Sequence, residues 1–350
     1  MDISKLDANF ATPSTLEKED IVWFDAAQEP FQIFGAVQTD PYLIMPLDVA
    51  QTVSAGVASL CRHTAGVRAR FRTDSPYIAI HAEWENRTYG RNSAISMLNS
   101  FDLYRVENGG AQRYVGTLLP PYSLDKGYEA VLDVSGKETD YVLNFPLYNE
   151  VCKLYIGIRR GSQLLPPKEA YSNDRPVIFY GSSITQGGCA SRAGTCYQNH
   201  LSRALNMDYV NLGFSGSGRG EDAMIDYLAS LEMSAFVSDY DHNAPTPEHL
   251  AATHEKLYLA VRRAHPDIPY VMITRPNFLN REGDVGSRLV VMNTYRNAIA
   301  AGDRNVYYLD GASLFAGDEW DACTVDGVHP NDLGFYRFFQ ALLPIMERVL

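Results

Sequence analysis

Two short segments in the C-terminal half carry residue types that can break an acyl bond. Gly181-Ser182-Ser183-Ile184-Thr185 follows directly on the apolar run Val177-Ile178-Phe179-Tyr180, and Asp326-Gly327-Val328-His329-Pro330 stands near the other end. A buried strand ending in a Gly-Ser turn lifts a hydroxyl out of a sheet edge. That hydroxyl is a weak nucleophile until a base takes its proton during attack. His329 is the candidate base, and Asp326, three residues earlier across Gly327, can reach its Nδ1 and stabilise the imidazolium. Ser182 and Ser183 both follow Gly181, so the residues alone leave two nucleophiles in competition. Together the two segments point to a serine esterase.

The tetrahedral intermediate of such a reaction needs hydrogen-bond donors for its oxyanion, and losing one typically costs roughly 2.7–4 kcal/mol. Two further apolar runs end in segments that can supply them. Asn211-Leu212-Gly213-Phe214-Ser215-Gly216-Ser217-Gly218 exposes backbone N–H groups in a Gly-rich loop, and Asp241-His242-Asn243-Ala244 offers the Asn243 amide. Competing chemistries fit less well. The glycines at 213, 216, 218 and 220 do not make a dinucleotide fingerprint, because Glu221 stands at the third glycine position, and no G-K-[ST] follows a Gly-rich turn. Asp239, Asp241 and His242 have metal-ligand character, but without a second cluster they read as hydrogen-bonding within their own loop. Arg275 reads as a tie between loop and sheet, and Tyr180, Tyr240 and His242 as packing at strand ends.

The elements that must position these residues follow from periodicity. In the first half, Val67–Phe71, Tyr77–Trp84, Phe101–Val106, Glu129–Val134 and Lys153–Ile158 are short runs with largely two-residue alternation, separated by Gly- and Pro-rich turns. Many short strands with few helical patterns predict a β-sandwich. After Leu164-Leu165-Pro166-Pro167-Lys168 the pattern changes to apolar runs alternating with helical ones, the signature of a parallel sheet. Strands are expected at 177–180, 208–212, 235–239, 268–274 and 305–309, with a linker at 162–174. Thr246 caps one helix with Pro247 at its first position. The last helix starts near Asn331 and buries Phe335, Phe338, Phe339, Leu342 and Ile345.

At 350 residues the chain has room for two domains, 1–172 and 173–350. A formal net charge of −12 argues against nucleic acid or an anionic membrane as the main partner. The first residues lack the basic and apolar regions of a signal peptide, and no apolar stretch approaches the roughly 20 residues of a membrane span. Five cysteines, with no Cys-x-x-Cys among them, fit a reduced cytoplasm.

The four segments, in this order, resemble the sequence blocks of the SGNH (GDSL-type) hydrolase family. Gly181-Ser182-Ser183-Ile184 is similar to the serine block, Gly216 to the glycine block, Asn243 to the asparagine block and Asp326-Gly327-Val328-His329 to the Asp-x-x-His block. The resemblance selects Ser183 as nucleophile, completes a triad with Asp326 and His329, and implies an oxyanion hole of the Ser183 and Gly216 N–H groups with the Asn243 amide. Ser182 departs from the family's Asp, Asp241 from its usual Gly, and Ala244 from its usual Asp. In the first half, Thr73-Asp74-Ser75, Phe101-Asp102-Leu103-Tyr104 and Phe145-Pro146-Leu147-Tyr148-Asn149 resemble the sandwich that precedes the catalytic domain in one branch. The expected fold is therefore an all-β, jelly-roll-like sandwich followed by a flavodoxin-like three-layer α/β/α domain. The expected activity is hydrolysis of short-chain acyl esters, acetyl foremost, of a carbohydrate or other small molecule, with no cofactor or metal. Acyl transfer by the same acyl-enzyme, or carbohydrate binding with an inactive hydrolase half, are the alternatives.

Overall fold

The computed structural model describes residues 16–87, 90–107, 109–121, 126–276, 282–317 and 319–350. The first half forms two antiparallel sheets. One runs in the order Ile21–Asp25, Lys153–Arg159, Tyr77–Glu83 and Gly127–Asp133. The other runs Leu164–Leu165, Arg68–Thr73, Thr139–Asn144, Phe101–Val106 and Gln112–Leu118, with Gln32–Phe34 also paired to Arg68–Thr73. Inward residues of both sheets, among them Phe71, Ile78, Ile80, Leu103, Tyr141 and Ile156, share one core. The ends of the strands read from the sequence shift by at most two residues because pairing sets them: Gly127, for example, faces Glu83 across its ladder.

Two expectations need correction. The two-residue alternation over 67–71 is that of a half-buried strand, yet Arg68 and Arg70, set between its apolar residues, are both 1% exposed. Arg68 is covered by the second half of the chain, and Arg70 by the stretch just before it, donating to the Glu169 carbonyl at 2.7 Å and lying 4.4 Å from the centroid of the Tyr171 ring. Arg68 pairs with the Asp208 carboxylate, donates to the Tyr209 carbonyl at 3.2 Å and lies 4.1 Å from the centroid of the Tyr209 ring. The stretch 162–174, read as a linker, instead adds a short strand, Leu164–Leu165, to Arg68–Thr73. Its remaining backbone is tied to both halves: Lys168 N–H donates to Asp140, and Ser172 N–H donates to the Asn206 carbonyl. The prolines stop the strand, but the polar backbone still finds partners.

The second half is a five-stranded parallel sheet ordered Tyr209–Gly213, Val177–Gly181, Ala235–Asp239, Tyr270–Ile273 and Val306–Leu309. In chain order this is 2-1-3-4-5, the flavodoxin-like arrangement. The three central strands are buried along their whole length, which is why they read as continuous apolar runs. Helix Pro247–Ala264 is capped by Thr246, whose hydroxyl accepts from His249 N–H at 3.2 Å. Helix Asp332–Val349 is capped by Asn331. It buries Phe335, Phe338, Leu342 and Met346, while Phe339 and Ile345 pack at the edge of the stripe. No helix among the described residues is long and apolar enough to cross a membrane.

Candidate active site

Strand Val177–Gly181 lies between Tyr209–Gly213 and Ala235–Asp239, so the crevice beyond its carboxyl end is the topological switch point where ligands of such sheets bind. Gly181 is required there, since a Cβ would strike the Asp239 carbonyl and the Thr185 hydroxyl. The chain then turns into a four-residue helix, Ser183–Gln186. Ser182 is fully buried and caps it, its hydroxyl accepting from Ile184 N–H at 3.1 Å. Ser and Asp are both favoured caps, so a serine can make the turn contact that the family's Asp would make. Burial also removes Ser182 from the competition. Ser183, the next residue, points its hydroxyl into the crevice.

Ser183 Oγ lies 2.9 Å from His329 Nε2. On the other side of the ring, Nδ1 is 2.7 Å from Asp326 Oδ2. Gly327, at φ 82°, takes the left-handed conformation that curls Asp326 back over the loop. Asp326 Oδ1 meanwhile accepts the backbone N–H groups of Val328 at 3.1 Å and His329 at 2.8 Å. Partial burial pushes the Asp326 carboxyl up, but the His329 backbone N–H and ring together outweigh it and hold the group down at about 2. An anion at Nδ1 keeps the proton on that nitrogen and leaves Nε2 free to accept from the serine.

The candidate donors lie on the loops that follow the two neighbouring strands. Gly216 takes φ 67° at the tip of the loop after Tyr209–Gly213. The Phe214 carbonyl anchors this loop, accepting from Ser217 N–H at 2.9 Å, Gly218 N–H at 3.0 Å and Asn243 Nδ2 at 2.8 Å. One N–H of the Asn243 amide is thus fixed, which orients the other. The departure at Asp241 has a local account: its buried carboxylate accepts Arg275 N–H at 3.0 Å, and Arg275 also pairs with Asp284. Arg275 therefore ties loop to sheet, as read. Burial pulls the His242 ring down to about 3, with Arg275 and His329 adding to the effect, so it is neutral. Among the described residues no group of three His, Cys, Asp or Glu is arranged to hold a metal. Tyr180 and Tyr240 are buried against each other and pack rather than line the crevice.

Sequence reasoning missed the contribution of the sandwich. Asn92 Nδ2 donates to Asp326 Oδ2 at 2.7 Å. A Cβ on Gly188 would stand 3.0 Å from the Tyr148 hydroxyl and 3.5 Å from His329 Cδ2, so that phenol borders the base. Buried His63, pulled down to about 4 by desolvation and hence neutral, lies with Nδ1 3.1 Å from Gln186 Nε2. Gln186 Oε1 in turn accepts Ser215 N–H at 3.0 Å and steadies the glycine loop. Only Tyr148 stood in a segment that the sequence marked. A cavity of about 970 Å³ opens on the sandwich beside His81, Trp84 and Glu129, but none of the triad candidates lines it.

Residues 174–347 match the family model of the GDSL-like lipase/acylhydrolases, and residues 21–164 match that of the N-terminal domain of SGNH-hydrolase-type esterases. No curated protein matches the sequence. Among solved structures, a protein from Bacteroides ovatus described as a GDSL-like lipase is 26% identical with a TM-score of 0.84, over 94% of this chain and 98% of its own. A salicylyl-acyltransferase from a tetracycline biosynthetic pathway is 17% identical with a TM-score of 0.76, over 95% and 98%. A family two carbohydrate esterase from Clostridium thermocellum, solved with cellohexaose, is 13% identical with a TM-score of 0.62, over 91% and 98%. The last two are likenesses of fold alone.

Proposed function

Since the chain belongs to the GDSL-like (SGNH) lipase/acylhydrolase family, and is thereby a carboxylic ester hydrolase, we propose that it hydrolyses short-chain acyl esters, acetyl esters foremost, of a carbohydrate or other small alcohol. Ser183 Oγ attacks the ester carbonyl while His329 Nε2 takes its proton. The developing oxyanion rests on the N–H groups of Ser183 and Gly216 and on the free N–H of the Asn243 amide. Collapse breaks the bond to the alkoxy oxygen, which leaves as the alcohol with the proton from His329. Water, deprotonated by the same ring, then attacks the acyl-enzyme and releases the acid. Asp326 stays ionised throughout and stabilises the imidazolium.

The observation that carries this reading is the continuous relay from Ser183 Oγ to His329 at 2.9 Å and from His329 to Asp326 at 2.7 Å. The neighbouring carbohydrate esterase supports a sugar as the alcohol. We divide the chain at 172/173, and its five free cysteines support a cytoplasmic setting. A second reading, acyl transfer to an alcohol acceptor, draws on the fold shared with the salicylyl-acyltransferase. A panel of acetylated sugars and p-nitrophenyl esters of increasing chain length tests the proposal. Acetyl esters should turn over fastest, with free acid as product, and Ser183→Ala should be inactive; a variant that keeps wild-type turnover contradicts the mechanism.

A further inference from the structure

We propose that the sandwich is part of the catalytic centre, with Asn92 acting as a positioning residue that holds the Asp326 carboxylate against His329. This deepens the esterase reading and rests on it. Asn92 and Asp326 come from opposite halves of the chain, yet their contact, at 2.7 Å, goes to Oδ2, the oxygen that accepts His329 Nδ1–H. Oδ1 is already occupied by the loop's own backbone. Among the described residues, Asn92 is thus the side chain that fixes Oδ2 from outside the loop.

A second set of contacts grips the other end of the same segment. Asp332, three residues after His329, accepts from Ser191 N–H at 2.8 Å, Ser191 Oγ at 2.5 Å and Thr195 Oγ1 at 2.6 Å. The loop carrying Ser191 and Thr195 is itself fastened to the sandwich. Ser96 Oγ donates to the Ser191 carbonyl at 2.5 Å, and fully buried Asp102 accepts from Arg192 at 3.0 Å and from Gly194 N–H at 2.6 Å. Asp102 belongs to the Phe101-Asp102-Leu103-Tyr104 segment, and the Tyr104 hydroxyl also accepts from Arg192, at 2.7 Å. The segment from Asp326 to Asp332 is therefore held at both ends by contacts that begin in the sandwich, directly through Asn92 and indirectly through Asp102 and Ser96.

Three titratable groups near this pair, Cys189, His242 and Tyr148, stay neutral over the working range. Burial, with Asp326 adding to it, pushes the Cys189 thiol up to about 11. Burial pulls His242 down to about 3, and burial raises Tyr148. Arg91, next to Asn92, is exposed. A charge placed at position 92 is accordingly read out by His329.

The test is the pH profile of kcat/KM on p-nitrophenyl acetate for wild type, Asn92→Ala and Asn92→Asp, with Tm as a folding control. Loss of one hydrogen bond to a charged group should lower kcat of Asn92→Ala about tenfold with KM retained. The second carboxylate in Asn92→Asp should move the acidic limb of the profile to higher pH by about half a unit or more. An unmoved limb in Asn92→Asp, or a rate within about twofold of wild type in Asn92→Ala, overturns the assignment. Acetylation of Ser183 in the wild type assigns such a failure to Asn92 alone. Its absence removes the esterase reading and this inference together.

Discussion

Replacing Asn243 by Ala should separate catalysis from folding more sharply than any other change in the crevice. The amide has two N–H groups, and one is committed to the Phe214 carbonyl at 2.8 Å. That carbonyl also receives Ser217 and Gly218 N–H, so truncating Asn243 leaves it satisfied by two donors. The stability cost is then the net worth of one hydrogen bond, about 1 kcal/mol, without the penalty for an orphaned carbonyl. In the proposed mechanism the second N–H serves the oxyanion, and losing such a donor costs roughly 2.7–4 kcal/mol of the barrier, a fall of about 10²–10³ in kcat. KM should change little, because the donor is aimed at charge that develops only in the transition state. Steady-state kinetics on p-nitrophenyl acetate, read beside a thermal melt, give both numbers. A kcat within about tenfold of wild type in a folded variant would refute the reasoning, since the oxyanion would then be held elsewhere.

Other outcomes follow from the same geometry. Ser182→Ala should lower stability by about 1 kcal/mol through loss of the cap, and Ser182→Asp by less, while both retain turnover; calorimetry and esterase rates check this. In the buried Asp102–Arg192 contact, Asp102 is fully buried and Arg192 is 22% exposed. Arg192→Met, which removes the counter-charge of the buried carboxylate, should therefore destabilise by about 3–5 kcal/mol, more than Asp102→Asn does, and the double variant should recover part of the loss in thermal unfolding. His254 is buried against Thr294, and desolvation takes its ring down to about 4. The unfolded chain protonates this group first, near 6.5, so its contribution is complete above that pH and is lost as pH falls toward 4. His254→Gln should flatten the acid limb of the stability curve by about 1.4 kcal/mol per pH unit in that window; a parallel curve in denaturant melts contradicts it.

Much of the fold was legible because each local signal answered to one constraint. Parallel strands such as Val177–Gly181 are buried on both faces and so read as unbroken apolar runs. The caps Thr246 and Asn331 mark their helices with the side-chain oxygen the first turn needs. The candidate triad was legible because its groups sit at strand ends or within a three-residue turn. What the sequence concealed lies where the two halves meet. Arg68 and Arg70 alternate like a solvent face, and the docking of Tyr209 and Asp208 over Arg68 and of Glu169 and Tyr171 over Arg70 makes it an interior. Asn92, His63 and Tyr148 carry no local pattern that links them to Ser183, because their role arises from contacts between distant parts of the chain. Ser182 illustrates the reverse case: it departs from the family's Asp, and its hydroxyl caps the turn by accepting from Ile184 N–H.

The central claim is that Ser183, and not its buried neighbour, carries the acyl group. Protein quenched in acid during turnover of p-nitrophenyl acetate and digested for mass spectrometry tests it directly. The account predicts one acetyl group on Ser183, absent from Ser183→Ala and trapped longer when His329 is replaced. Acetyl on Ser182 or Cys189 with turnover intact, or turnover that persists in Ser183→Ala, would contradict it.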